Sequence, residues 1–184
     1  MTDSQQPPPA EPSDEADETQ LEMAKAEGEA YLKSLEYMAN EVAHSGDMKR
    51  AGDYIVAFAQ EEAEGMYHMR DGELEWVEPD EENCHFEVAV LDATDHRFVP
   101  YLAIELTVED GEGNTVGTRE MPFVWHPGLF HYGANWKVPG DGIYTLKIHI
   151  DAPDFMRHDE TNGKRYAQAV DVEFHEVSVD TGQD

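Results

Sequence analysis

The sequence predicts an all-β fold: an immunoglobulin-like antiparallel β-sandwich of seven or eight strands, preceded by an N-terminal helix and a disordered acidic tail. Three observations predict it. Beyond Gly52 the apolar residues recur with period two, the mark of half-buried strands. Asp-Gly, Gly-Asn, Pro-Gly and Asn-Gly pairs punctuate these runs at short spacing. No second helical period interrupts them, so sheet on sheet is the way left to bury their apolar faces.

Residues 1–20 are rich in Pro, Gln and acidic side chains without hydrophobic periodicity, the composition of a disordered tail. Leu21, Ala24, Gly28, Tyr31, Leu32, Leu35, Met38 and Val42 then follow at three- and four-residue steps, with Glu and Lys between them. Residues 21–46 therefore read as an amphipathic helix that Ser45-Gly46 stops. The sandwich is expected over 53–180, with strands in DYIVAFAQ, EGMYHM, LEWV, HFEVAVLDA, YLAIELTVED, TVGTREM, YTLKIHI and AVDVEFHEVSV.

Charge narrows the partners. The chain carries 41 acidic against 12 basic residues, a formal net charge of −29. Phosphate contacts need clustered Lys and Arg, and here the basic residues stand singly, so nucleic acid and anionic lipid are excluded as partners. The carboxylates are spread along the whole chain, which suits solubility in high salt better than a dedicated cation site. Charge thus speaks of habitat more than of function. A single cysteine excludes an internal disulfide and a thiolate metal cluster. No apolar run approaches the roughly 20 residues of a spanning helix, so direct membrane insertion is not expected. The opening residues lack a basic and an apolar region of a secretory leader, so the chain as written is expected to be cytoplasmic.

The histidines carry the chemistry. In the strand CHFEVAV, alternation places Phe86, Val88 and Val90 on one face and His85, Glu87 and Ala89 on the other. His85 and Glu87 are then either a two-ligand bite for a transition metal or an exposed polar pair. Cys84 points away from His85 and reads as a small buried apolar residue, not a nucleophile. His126 and His131 bracket Pro127-Gly128, followed by HYGAN, where Gly133 marks a close approach to the backbone or a bulge. Trp125, Phe130 and Trp136 would shield a site there; the alternative is an aromatic hairpin packed on the sandwich. His158, with Asp159 beside it to accept from the ring, is either a ligand or a surface histidine. The remaining histidines fit solvated strand faces and loops. Gly111, Gly113 and Gly117 lie in a hairpin with no helix after them, which excludes a dinucleotide loop. An EF-hand, a serine elbow, HExxH and CxxC are likewise missing.

At these residues the chain resembles the bacterial periplasmic ferrous-iron transport proteins, as a divergent, haloarchaeal-like member. The resemblance spans roughly Asp53–Val179 and rests on His85-Phe86-Glu87, His131-Tyr132-Gly133-Ala134-Asn135 and Arg157-His158-Asp159 ahead of Asn162-Gly163, in that order. It implies an immunoglobulin-like sandwich that binds Cu- and Fe-type ions, assists a membrane iron permease and pairs as a homodimer. It further implies His85, His131 and His158 as ligands with Glu87 beside them. The family's methionine ligand closes a Met-Pro-Met run, where this chain has Met121-Pro122-Phe123. The loss of that thioether moves the donor set toward nitrogen and oxygen, with His126 as a candidate substitute.

The metal set expected from sequence is therefore His85, Glu87, His126, His131 and His158. The cargo expected is Cu2+ or Fe2+, with Zn2+ and Mn2+ as further candidates. A non-catalytic carrier in iron or copper handling is the leading function. A metalloenzyme with an open His/Glu site and a metal-free interaction domain are the alternatives; an enzyme would need a substrate cleft beside the metal.

Overall fold

The computed structural model describes residues 7–182. Among them, one α-helix, α1 (Glu18–Tyr37), runs into a π-turn at Met38–Val42 and is followed by eleven strands. These are β1 (Ser45–Ala51), β2 (Tyr54–Glu61), β3 (Met66–Arg70), β4 (Glu73–Val77), β5 (Cys84–Asp92), β6 (Ile104–Glu109), β7 (Thr115–Glu120), β8 (Phe123–Val124), β9 (His131–Trp136), β10 (Gly142–Ile150) and β11 (Val170–Val179). A five-stranded sheet, β1-β2-β5-β9-β8, faces a four-stranded sheet, β11-β10-β6-β7, and β3-β4 stands apart as a hairpin. The pairings are antiparallel.

Alternation builds the core. Tyr54, Val56 and Phe58 of β2, Phe86, Val88 and Val90 of β5, and Tyr132, Ala134 and Trp136 of β9 all turn inward. They meet Leu106, Leu146, Ile148 and Phe174 of the second sheet, with Phe58 edge-on to Phe174 at 4.7 Å between ring centroids. The opposite face of the five-stranded sheet is small and apolar where Ala57, Ala59, Ala89 and Leu91 surface. That alanine-rich strip lets a helix lie close. Leu35 and Met38 are buried on it, with Tyr31 and Leu32 packed alongside. Gly28 has no side chain because a Cβ there would lie 1.8 Å from the Asp95 carbonyl oxygen.

The helix begins one residue after Asp17, whose Oδ1 accepts from the Gln20 N–H at 2.9 Å while Gln20 Oε1 accepts from the Asp17 N–H at 2.9 Å. This reciprocal cap satisfies two donors that a helix start leaves free. Asp17→Ala is expected to cost about 1 kcal/mol. In a chain of this size that is a fall in Tm of about 2–4 °C, measurable by thermal denaturation.

Among the described residues the strands number eleven rather than seven or eight, with β8 and β9 added, and two further stretches differ from the sequence expectation. Ser45–Ala51 is strand β1 rather than a helix end and linker, although SGDMKRA is poor in β-branched and aromatic residues. Its ladder to β2, from Ser45 opposite Gln60 to Ala51 opposite Tyr54, supplies the structure that propensity does not. Residues 7–17 lack helix and strand up to the α1 cap, as their composition predicts, yet they are fastened to the loop before β11. Arg165 donates to the Pro8 carbonyl at 2.7 Å, Glu11 and Asn162 exchange hydrogen bonds of 2.8 and 2.9 Å, and Ser13 donates to Asp159 at 2.8 Å. Residues 1–6 of the expected tail lie outside the described residues.

Candidate metal centre

β5 and β9 run antiparallel with His85 opposite Asn135 and Glu87 opposite Gly133. Because Phe86 and Val88 turn into the sandwich, His85 and Glu87 must turn out of it, and His131, Gly133 and Asn135 do the same on β9. A one-residue slip would send every one of these side chains to the other face. The outward face is not solvated here. His85, Glu87 and His131 are only 1%, 4% and 2% exposed. Each offers a ligand atom, and these atoms lie within 4.8 Å of one another.

Asn135 orients His85. His85 Nδ1 lies 2.9 Å from Asn135 Oδ1, which also accepts from the Glu64 N–H at 3.1 Å, while Asn135 Nδ2 donates to the Glu64 carbonyl at 2.6 Å. An amide oxygen only accepts, so His85 Nδ1 carries the proton and Nε2 presents a lone pair. His131 has no hydrogen-bond partner on either ring nitrogen. Its Nε2 is 3.3 Å from Glu87 Oε1, near but not aligned as a hydrogen bond. Buried, unpartnered nitrogens are costly, and a cation between these groups relieves the cost. Gly133 leaves the space for it: a Cβ there would lie 2.8 Å from His85 Nε2 and 3.1 Å from His131 Cδ2.

Desolvation sets the charges. Burial pushes His85 down to about 4, and burial with the neighbouring His85 and His126 brings His131 to about 4. Both imidazoles are therefore neutral at pH 7. Glu87 is pushed up to about 8, by burial first and then by the carboxylates of Glu61 and Glu64. It holds a proton at neutral pH.

The remaining predicted residues fall differently. His126 sits beside the cluster, its ring centroid 6.0 Å from that of His131. Its Nδ1 accepts from the Gly128 N–H at 3.0 Å, so the neutral ring carries its proton on Nε2 and shows a donor rather than a lone pair. His158 is outside the cluster, with its side chain 92% exposed and Nδ1 3.0 Å from the Glu15 carboxylate. Asp159, expected as its partner, is engaged by Ser13, Thr161 and Asn162 instead. The aromatic shield also differs. Trp136 belongs to the inter-sheet core and Trp125 is 69% exposed. Cys84 and Met121 are buried in that same core, and burial pushes the Cys84 thiol up to about 12. Phe123 lies among Phe98, Phe130 and Tyr132, where it offers no ligand atom. Sequence reasoning assigned no role to Asn135, although the period of two through HYGAN places it on the ligand face. Above His85 and His131 a cleft of about 1070 Å³ opens between the β3-β4 hairpin and the segment before β9, rimmed by Tyr67, Trp76 and Trp125.

The fold and this centre define a metal-binding sandwich, and comparison with known proteins places it further. Residues 33–179 match the family described as Fe2+ transport protein. The chain belongs to that family. It is a metal-binding protein associated with iron transport, and its family is one of transport proteins rather than enzymes, despite the cleft. Among solved structures it is similar to FetP of uropathogenic Escherichia coli, at 23% identity and TM-score 0.60 over 73% of this chain and 95% of that one. It is similar also to copper-reconstituted P19 of Campylobacter jejuni, at 20% identity and TM-score 0.60 over 73% and 95%. No curated protein matches. The FetP structure is of protein recombinantly expressed in the periplasm. With the family, it points outside the cytoplasm and overturns the cytoplasmic placement expected from the opening residues.

Proposed function

We propose that the protein is a carrier that takes Fe2+ or Cu2+ as cargo on His85, Glu87 and His131. The observation that carries this reading is the buried trio itself, with ligand atoms within 4.8 Å and both His131 nitrogens unpartnered. Two imidazoles and a carboxylate without a thioether suit Fe2+ and Cu2+ better than Cu+, with Zn2+ and Mn2+ fitting the same donors. His126 stands next to the trio and serves as a further nitrogen once the Gly128 N–H releases Nδ1 and the ring proton moves there, baring Nε2. The exposed ring of His158 suits a ligand offered to a second copy, in line with the homodimer that the resemblance implies, and delivery to a membrane iron permease follows from the same resemblance.

Calorimetric titration of the purified chain with Cu2+, and with Fe2+ under anaerobic conditions, is expected to show one tight site per chain. His131→Ala should weaken binding at least 100-fold, because it removes one ligand of three. Unchanged affinity in that variant would count against the assignment.

A further inference from the structure

The family match begins at residue 33, so the first 15 residues of α1 and the segment before it lie outside what the chain shares with its family. This added segment is not a free appendage. It reaches both loops that carry the outlying histidines. Glu15 faces His158, and the Tyr31 hydroxyl donates to the carbonyl of Phe130, the residue before His131. The Tyr31 ring packs on Phe98 at 5.5 Å, and Phe98 stacks on Tyr132 at 5.6 Å, the residue after His131. Leu129 of the same loop is buried in the cluster that α1 forms on the sheet. The loop's other ties are Phe130 against Phe98 and Phe123, at 6.4 and 5.6 Å between centroids, and the Gly128 N–H donating to His126 Nδ1. β8 pairs with β9 over only two residues, Phe123 with Tyr132 and Val124 with His131, and Trp125 is exposed.

We infer that Tyr31 is a positioning residue for the metal centre: α1 clamps the loop that delivers His126 and His131, setting His131 before the cation arrives and slowing the cation's departure. The inference deepens the carrier reading and rests on it for its second half. Physically, a hydroxyl–carbonyl hydrogen bond at the hinge of a short loop removes the alternative conformations in which His131 points elsewhere, which is preorganisation of a ligand by its neighbour.

The test is Tyr31→Phe in the full chain, with Tyr37→Phe, a surface position, as the control. Amide hydrogen exchange of the metal-free protein is expected to quicken about five- to tenfold over residues 125–131, the loss of one ordinary hydrogen bond, while α1 keeps its protection. Release of Cu2+ into excess chelator should quicken by a similar factor. Unchanged exchange over 125–131 in Tyr31→Phe overturns the clamp, as does a loosening shared equally by α1, which would make the role merely structural. Exchange is read without metal, so it decides the clamp even if the wild-type chain takes up no Cu2+. That last result would overturn the carrier reading and the slowed release with it.

Discussion

Gly133→Ala is expected to lower Cu2+ affinity by at least 100-fold while leaving the sandwich folded. The added methyl would lie 2.8 Å from His85 Nε2, the nitrogen that presents the lone pair, and 3.1 Å from the His131 ring. Neither ring can swing away freely. His85 is buried and tied by its other nitrogen to Asn135, and His131 is buried beside Glu87. The methyl therefore occupies the cradle and displaces both ligands together. Gly133 sits in ordinary extended strand conformation, so alanine brings no backbone strain, and overpacking should cost only about 1–3 kcal/mol. A hundredfold loss corresponds to about 2.7 kcal/mol of binding, well within calorimetric resolution. A variant that binds Cu2+ as tightly as wild type would show that the cation sits elsewhere.

Glu87→Gln is expected to flatten the pH dependence of stability between about 6.5 and 8 in the metal-free chain. The folded-state pKa of Glu87 is raised from 4.5 to about 8, so folding holds a proton that the unfolded chain gives up. Stability from this group is complete below about 4.5 and declines as pH rises toward 8. His85 and His131 act in the opposite sense. Their folded pKa values are lowered from 6.5 to about 4, so their contribution is complete above about 6.5 and is lost as pH falls toward 4. Of the three, Glu87 alone therefore acts between 6.5 and 8. The wild-type chain should lose at most about 2 kcal/mol there, or about 5 °C in Tm, beyond what the glutamine variant loses. The same proton should make Cu2+ affinity rise with pH up to about 8 in the wild type, since binding at Glu87 would displace it. Parallel melting curves of the two proteins across this window would refute the raised pKa.

The strand that carries the centre was legible almost residue by residue. Cys84–Asp92 declares its two faces by alternation, and the same rule applied to HYGAN puts His131, Gly133 and Asn135 on the ligand side. Gly133 read as either a close approach to the backbone or a bulge, and the structure places the two imidazoles against it. β1 was not legible, because Lys49, Arg50 and Asp47 are typical of an exposed edge and carry no strand period. Nor was the tie of residues 8–13 to the loop at 159–165, since hydrogen bonds across some 150 positions leave no local mark.

By itself, then, the order of residues determined the sandwich, the way each strand faces and the pair of donors that leave the core together, because these follow from a repeat of two along a single strand. Only the tertiary structure decided that the outward donors are dry. His85 and His131 lie between the β3-β4 hairpin and the segment before β9, while α1 settles on the neighbouring alanine strip of β2 and β5 with Leu129 under it. Drying is what strips the imidazoles of charge, holds a proton on Glu87 and leaves His131 without a partner. A polar pair on a strand becomes a buried donor cluster through the elements that cover it, and those elements come from distant parts of the chain.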